Sequence, residues 1–160
     1  RIFGDRETLL REAFKDVFPV GVLAEVELET QPLEQALTHI AKSVILFAGT
    51  YPGLMALMLL PASNERAEIM AVHHVQQDLR DRVIALFEHS VATDALPMGD
   101  VPGHAAAFLG LCLGASLLMH EIRPLEEQDV EPRASQVVRR FFRSMGISQS
   151  DDTQNTRRKS

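Results

Sequence analysis

The sequence is poor in the residues and motifs that mark reactive or metal-bound sites. Its 160 residues include one cysteine, Cys112, so an intrachain disulfide is excluded and a reducing, cytoplasmic setting is favoured. No Gly-x-Ser-x-Gly motif surrounds Ser43, Ser90 or Ser116. There is also no His-Glu-x-x-His or paired-cysteine signature for zinc. We therefore predict that the chain is not an enzyme and has no catalytic residue, metal or cofactor.

The six histidines do not form a ligand set by their spacing. His73 and His74 are adjacent, and on a helix they point about 100° apart, so they do not share a face. His74 and Asp78 are four residues apart, which leaves a two-ligand metal site as a minor alternative. Cys112 lies in an apolar stretch, which indicates a small buried hydrophobic residue rather than a reactive thiol.

An excess of positive charge and a long uninterrupted apolar run are both missing. The formal net charge is −6, which argues against nucleic-acid binding by this chain, because such domains usually carry a basic face. Residues 105–119 are uncharged, but they are fewer than the roughly 18–20 that cross a membrane. Residues 44–62 are interrupted by Gly49-Thr50-Tyr51-Pro52-Gly53, which has turn chemistry. Both stretches are interpreted as core, and no membrane partner is predicted.

Apolar residues recur at helical spacing along most of the chain, which predicts an all-α helical bundle. Residues 22–28 alternate apolar and acidic residues, but without a partner strand a loop or a frayed helix end is favoured over a short strand. Residues 148–160 contain no large apolar residue and are predicted to be a disordered tail. About six helices are predicted: 5–18, 31–48, a short helix after Pro52, a long helix from Ser63 or Asn64 to about Ser90, a helix from 100–102 to about Ile122, and a last helix from Glu131-Pro132 to Gly146.

The first ten residues carry a resemblance to a known family. Arg-Ile-Phe-Gly-Asp-Arg-Glu-Thr-Leu-Leu resembles the end of the helix-turn-helix domain in TetR-type bacterial transcription repressors, where the pattern is roughly Tyr-x-His/Tyr-Phe-x-Ser/Asp-Lys-Glu-x-Leu. By this resemblance Phe3 is the core residue after the recognition helix, and Asp5 caps the next helix. Arg6 stands where the family has a phosphate-contacting lysine. Ile2 departs from the pattern, since His or Tyr is usual there.

The resemblance implies a division of the chain and a function. Residues 1–4 are the remnant of an N-terminal helix-turn-helix domain, 5–147 form an effector-binding and dimerisation domain, and 148–160 are the tail. The whole protein is then a repressor that binds operator DNA through its missing N-terminal domain, which accounts for the acidic charge of this part. The alternative from another class is a stand-alone helical protein that binds a small molecule or lipid and has no DNA role.

Soft apolar side chains with a few polar neighbours suggest a pocket for a small apolar or amphipathic effector. This pocket depends mainly on the resemblance. The alternative is that the same residues only fill the core. The candidate ligand-binding residues are Phe14, Phe18, Phe47, Met55, Met58, Met70, His73, Gln76, Phe108 and Cys112.

A homodimer is predicted from the last two helices. The helix that starts near 101 is apolar on almost every side and carries small residues at Gly103, Ala106, Gly110 and Gly114. One copy alone would leave part of this helix uncovered, and two copies packed about a two-fold axis would form a four-helix interface. The alternative is that these residues lie in the core of one protomer. The candidate interface residues are Phe108, Leu111, Ala115, Val138, Phe141 and Phe142.

Overall fold

The described chain is all-α, as the periodicity predicts. The computed structural model describes residues 6–18, 31–61, 66–120 and 126–147. The predicted remnant at 1–4, the alternating stretch at 22–28 and the predicted tail at 148–160 lie outside these residues. Within the described ranges there are six helices: α1 Arg6–Val17, α2 Leu33–Thr50, α3 Pro52–Met58, α4 Ala67–Ala92, α5 Val101–His120 and α6 Glu127–Ser144.

The helices are held together by the apolar stripe that each presents to its neighbours. In α2 the stripe runs from Ala36 and Leu37 to Phe47 and Ala48, and all of these are buried. This stripe places α2 against α6, α5 and α3, while α4 contacts α1, α3 and α5. α5 also packs on α6. The core therefore lies between α2, α4, α5 and α6, with α1 on the outer side of α4.

Three phenylalanines join α4, α5 and α6 at the centre of this core. The ring of Phe141 lies 5.4 Å from the rings of both Phe87 and Phe108, measured between centroids. Phe108, Val138, Phe141 and Phe142 are all buried within the single protomer. These four residues, all predicted for the dimer interface, lie inside the protomer, where the apolar side of α6 faces α2 and α5 of the same chain.

The last helix begins earlier than predicted. The sequence places Pro132 at the first helical position, whereas α6 starts at Glu127 and contains Pro132 in its interior. Val130 and Ala134 are one turn apart and both buried, so the same face of α6 reaches the core on both sides of the proline. Burial of Val130 thus extends the helix by four residues before the predicted start at Glu131, although Pro132 removes one backbone hydrogen bond.

Local residues define the ends of the long helices. The Asp100 carboxylate accepts a hydrogen bond from the backbone N–H of Gly103 at 3.1 Å, which satisfies a donor in the first turn of α5. Gly146 has a φ of 71° just after α6, and glycine adopts this left-handed backbone without a steric penalty. The predicted stop at Gly146 is confirmed.

The predicted break near Tyr51 and Pro52 is confirmed as a corner between α2 and α3. The backbone N–H of Tyr51 still donates to Phe47 at 2.9 Å, while its carbonyl already accepts from Leu54 and Met55. The two helices bend by 104° at this point. Among the described helices, none is long and apolar enough by itself to cross a membrane, and only the bent pair of α2 and α3 reaches that length together.

Candidate ligand-binding cavity

An apolar cavity lies where α2, α3, α4 and α5 meet the end of α1. Its volume is about 30 Å³, enough for a water molecule but not for a drug-sized ligand. Four of the predicted ligand-binding residues line it together. The lining residues are Phe18, Val44, Phe47, Met58, Gln76, Leu79, Leu109 and Leu113.

Four lining residues were not among the predicted ligand-binding residues. Val44 and Leu79 belong to the apolar stripes of α2 and α4, so their burial follows from the sequence but their position at a cavity does not. Leu109 and Leu113 are four residues apart on α5 and share one face. Because α5 is apolar on nearly every side, no periodic pattern marks that face.

Most of the remaining predicted ligand-binding residues pack elsewhere in the protomer. Met55, Phe108 and Cys112 are buried in the main core, and Phe14 packs against that core while partly exposed. Met70 is half-buried on α4. None of these side chains lines the cavity. Met55, Phe108 and Cys112 therefore fill the core, as in the alternative given above.

His73, a predicted ligand-binding residue, contacts the backbone instead of the cavity. Its Nε2 lies 2.8 Å from the backbone carbonyl oxygen of Leu60. This hydrogen bond ties α4 to the segment that follows α3. His73 therefore does not line the cavity, although it lies on the same helix as Gln76.

Burial keeps the single thiol of the chain neutral. Cys112 has no exposed surface, and desolvation raises the pKa of its thiol from 9.0 to about 12. At neutral pH the thiolate is therefore a negligible fraction of the population, and the thiol is a poor nucleophile. This agrees with the interpretation of Cys112 as a small buried hydrophobic residue.

Phe18 links the end of α1 to the cavity. Its ring lies 4.4 Å from the ring of Phe47, measured between centroids, and only 4% of the residue is exposed. Its backbone N–H donates to the carbonyl of Phe14 at 2.8 Å, so Phe18 continues the last turn of α1. Phe18 therefore connects the C-terminal end of α1 directly to the wall of the cavity.

The rest of α1 meets the bundle through the half-buried Phe14 and Val17, which pack against the core, and through polar contacts with α4. None of the residues 6–17 is buried. The partners increase in residue number along both helices, so α1 and α4 run in the same direction. We call these contacts the ionic pairs, of which the second is charged only when the imidazole is protonated: Arg6 with Glu68, Glu7 Oε1 with His74 Nδ1 at 2.8 Å, and Arg11 Nη2 with Asp78 Oδ2 at 3.4 Å.

The ionic pairs bear on two predictions from the sequence. Arg6, the predicted DNA phosphate contact, has a side chain that is 73% exposed and pairs with Glu68. His74 and Asp78, the minor metal alternative, each have a partner on α1. In the ranges that the structure describes, no group of three or more His, Cys, Asp or Glu residues is placed to hold a metal ion.

Glu68 remains ionised at lower pH than an ordinary glutamate. A hydrogen bond from its own backbone N–H is the largest cause that lowers its pKa, and the charges of Arg6 and Arg66 add to it. Because the pKa of Glu68 is lowered, its ion pair with Arg6 is fully present at neutral pH. The ion pair is lost as pH falls through that lowered pKa.

Reversing one charge in the ionic pairs is expected to loosen α1 without unfolding the bundle. Exposed pairs contribute up to about 1 kcal/mol each, so Arg11→Glu should speed hydrogen exchange of the α1 amides by up to about fivefold. The double variant Arg11→Glu with Asp78→Arg should restore the slower rate. Arg82→Glu, on the exposed side of α4, is the matched control. Equal exchange in all three variants would contradict a role for the pairs in holding α1.

A second concave surface lies outside the core, between α5 and α6. We call it the outer groove, and its volume is about 450 Å³. Gly110 and Gly114 form part of it, and among the described residues no atom outside their own helical turn lies within 4 Å of the position that a Cβ would take at either residue. The described helices therefore leave the strip open at these two glycines. The outer groove is lined by Gly110, Leu111, Gly114, Ala115, Arg133, Gln136, Val137 and Arg140.

Arg133 gives the outer groove a partly unsatisfied cation. Its side chain is 11% exposed, and its Nη2 lies 3.9 Å from an oxygen of Asp129. Its buried Nη1 has no hydrogen-bond partner among the described residues. A buried donor without a partner is costly, so this edge of the groove favours an added acceptor.

Comparisons with protein-family models, with curated proteins and with solved structures gave no match to this chain. The geometry of the cavity, the ionic pairs and the outer groove is therefore the basis for a functional proposal, together with the resemblance in the first ten residues.

Proposed function

We propose that this chain is the effector-binding and dimerisation part of a TetR-type, ligand-responsive transcription repressor of the cytoplasm. The observation that carries the proposal is the position of Phe18, which lines an apolar cavity and directly follows a helix with no fully buried residue in 6–17. By the resemblance, α1 follows directly on the DNA-binding domain, and Arg6 at its start contacts a DNA phosphate.

Filling the cavity has to displace something, because its volume of about 30 Å³ is far below the roughly 300–1,000 Å³ of ordinary ligand sites. α1 is the least buried of the helices around it, and Phe18 is its apolar attachment at the cavity wall. A ligand that enters between Phe18 and Phe47 would therefore shift α1. DNA affinity would change by the difference in ligand affinity between the docked and shifted states.

Two observations on the whole protein test this proposal. The reading frame upstream of Arg1 should encode a basic segment with a helix-turn-helix pattern. The full-length protein should then release its operator when the effector binds. If the upstream frame encodes no such segment, the stand-alone binding protein replaces the repressor. If ligand-bound and free full-length dimers bind operator equally well, the coupling through α1 is wrong.

The same proposal includes a homodimer that pairs through the outer groove. Gly110 and Gly114 leave room for a close helix approach, and Leu111 and Ala115 of the predicted interface set line the groove. Small residues along a helix let a second backbone approach closely, and a partner could supply the acceptor that Arg133 lacks.

Introducing a charge into the outer groove is expected to give a monomer. Ala115→Glu places a carboxylate where a second copy would pack, and burying an unpaired charge in an interface is strongly unfavourable. Ala85→Glu is the matched control, since Ala85 is exposed on α4. Multi-angle light scattering should show a monomer for Ala115→Glu and a dimer for Ala85→Glu. If both variants show the same oligomeric mass, the outer groove is not the pairing surface.

A further inference from the structure

The cavity combines an apolar wall with one polar side chain. Among the described lining residues, Gln76 alone is polar, and the other seven are aliphatic, aromatic or thioether side chains. Gln76 lies on α4 one turn before Leu79, so both belong to the same face of the helix. The polar group is thus at a defined position in the wall.

The Gln76 side-chain amide makes no hydrogen bond with the described residues. The neighbouring Gln77 shows the contrast, because its amide donates to Asp81 at 2.7 Å on the exposed side of α4. A ligand acceptor or donor that reaches this partly buried amide replaces a hydrogen bond to water, so the new bond makes a modest net contribution to the free energy of binding. Gln76 can therefore orient a ligand.

The described wall offers nothing to neutralise a ligand charge. His74 and Asp78, the ionisable residues nearest to Gln76 on α4, pair with Glu7 and Arg11 of α1. On α5 the Cys112 thiol is neutral, because burial raises its pKa. Burying an ion beside apolar walls without a counter-charge is far more costly than burying a neutral polar group.

We propose that the cavity selects an uncharged ligand, with an apolar body and one hydroxyl or carbonyl group that hydrogen-bonds to the Gln76 amide. This inference rests on the proposed function, because it specifies the ligand of the same cavity. It excludes amphipathic ions, such as a fatty-acid anion or an alkylammonium, as the effectors at neutral pH. The apolar body then occupies the space between Phe18, Phe47 and the two leucines of α5.

Three probes of one chain length separate the chemistry of the head group from the size of the ligand. Octan-1-ol, octanoate and octylammonium are titrated into the protein at pH 7.5 by calorimetry. Octan-1-ol is expected to bind at least about tenfold more tightly than either ion, because both ions lose hydration without gaining a partner. Gln76→Leu should weaken octan-1-ol about three- to tenfold. Gln77→Leu is the matched control and should bind like the parent.

A second variant tests whether a charge added to the cavity lining reverses the ligand preference. Gln76→Glu adds a negative charge to the lining and should reverse the preference, so that octylammonium binds more tightly than octan-1-ol. Thermal unfolding of each variant confirms that it is folded before titration.

The outcomes separate this inference from the proposed function. Octanoate or octylammonium binding as tightly as octan-1-ol overturns the inference and leaves the cavity as a ligand site. Equal binding by Gln76→Leu and Gln77→Leu overturns the role of the Gln76 amide. No binding of any probe overturns both the inference and the proposed site. The expected preference without any change in α1 supports the inference and contradicts the proposed coupling.

Discussion

Replacing Phe18 with alanine is expected to leave ligand binding in place while removing the response of α1. The substitution deletes the ring of a residue that is only 4% exposed, and it enlarges the cavity. Removing a buried phenylalanine costs about 3–5 kcal/mol of unfolding free energy. A ligand that fills the space recovers part of this loss, since binding to the folded state alone stabilises it.

The Phe18→Ala prediction is checked by urea unfolding with and without octan-1-ol, together with hydrogen exchange of α1. Leu9→Ala is the control on the same helix, because Leu9 is 45% exposed and its truncation should change stability by less than about 0.5 kcal/mol. The account predicts faster α1 exchange in Phe18→Ala that octan-1-ol no longer alters. A variant whose α1 still responds to octan-1-ol as the parent does would show that Phe18 is not the link.

Replacing Phe141 with alanine is expected to destabilise the protomer itself by about 3–5 kcal/mol. The Phe141 ring contacts Phe87 and Phe108 from the two neighbouring helices, at 5.4 Å between centroids in each case. A cavity at this junction removes aromatic contacts from α4, α5 and α6 together. Because total stability is typically 5–15 kcal/mol, this is a large share of it.

The background in which Phe141→Ala is measured decides between a core and an interface role. In the Ala115→Glu variant, which is expected to be monomeric, a core residue still shows the full loss. Leu46→Ala is the exposed control on α2, where Leu46 is 44% exposed. If Phe141→Ala lowers the free energy of unfolding by less than about 1 kcal/mol in the monomeric background, Phe141 is not a core residue of the protomer. An interface role for Phe141 would then be favoured.

Helical periodicity predicts most of this fold because the stripes of α2 and α4 are regular and their punctuation is clear. Thr50, Tyr51 and Pro52 form a corner whose turn chemistry is local, so the sequence alone indicates it. The start of α6 is not predictable in the same way. Pro132 favours the first turn by its own conformational preference, but the burial of Val130 comes from tertiary packing and extends the helix past it.

The candidate site is only partly predictable for a similar reason. Phe47 and Gln76 lie on helices whose inner face the sequence reveals, and Phe18 directly follows such a helix. α5 is apolar all round, so no stripe marks its inner face. The sequence therefore does not say which of Phe108, Leu111 and Leu113 points to the core, the groove or the cavity. The same ambiguity explains why Phe108 was predicted for both the ligand site and the dimer interface, although it lies in the core.

The central claim is that filling the apolar cavity releases α1 from α4, and hydrogen exchange measured by mass spectrometry tests it most directly. The protein is labelled with and without saturating octan-1-ol, and peptides from α1, α2 and α5 are compared. The account predicts faster exchange in residues 6–17, together with slower exchange in the segments of α2 and α5 that line the cavity. Slower exchange around the cavity with unchanged exchange in residues 6–17 would contradict it.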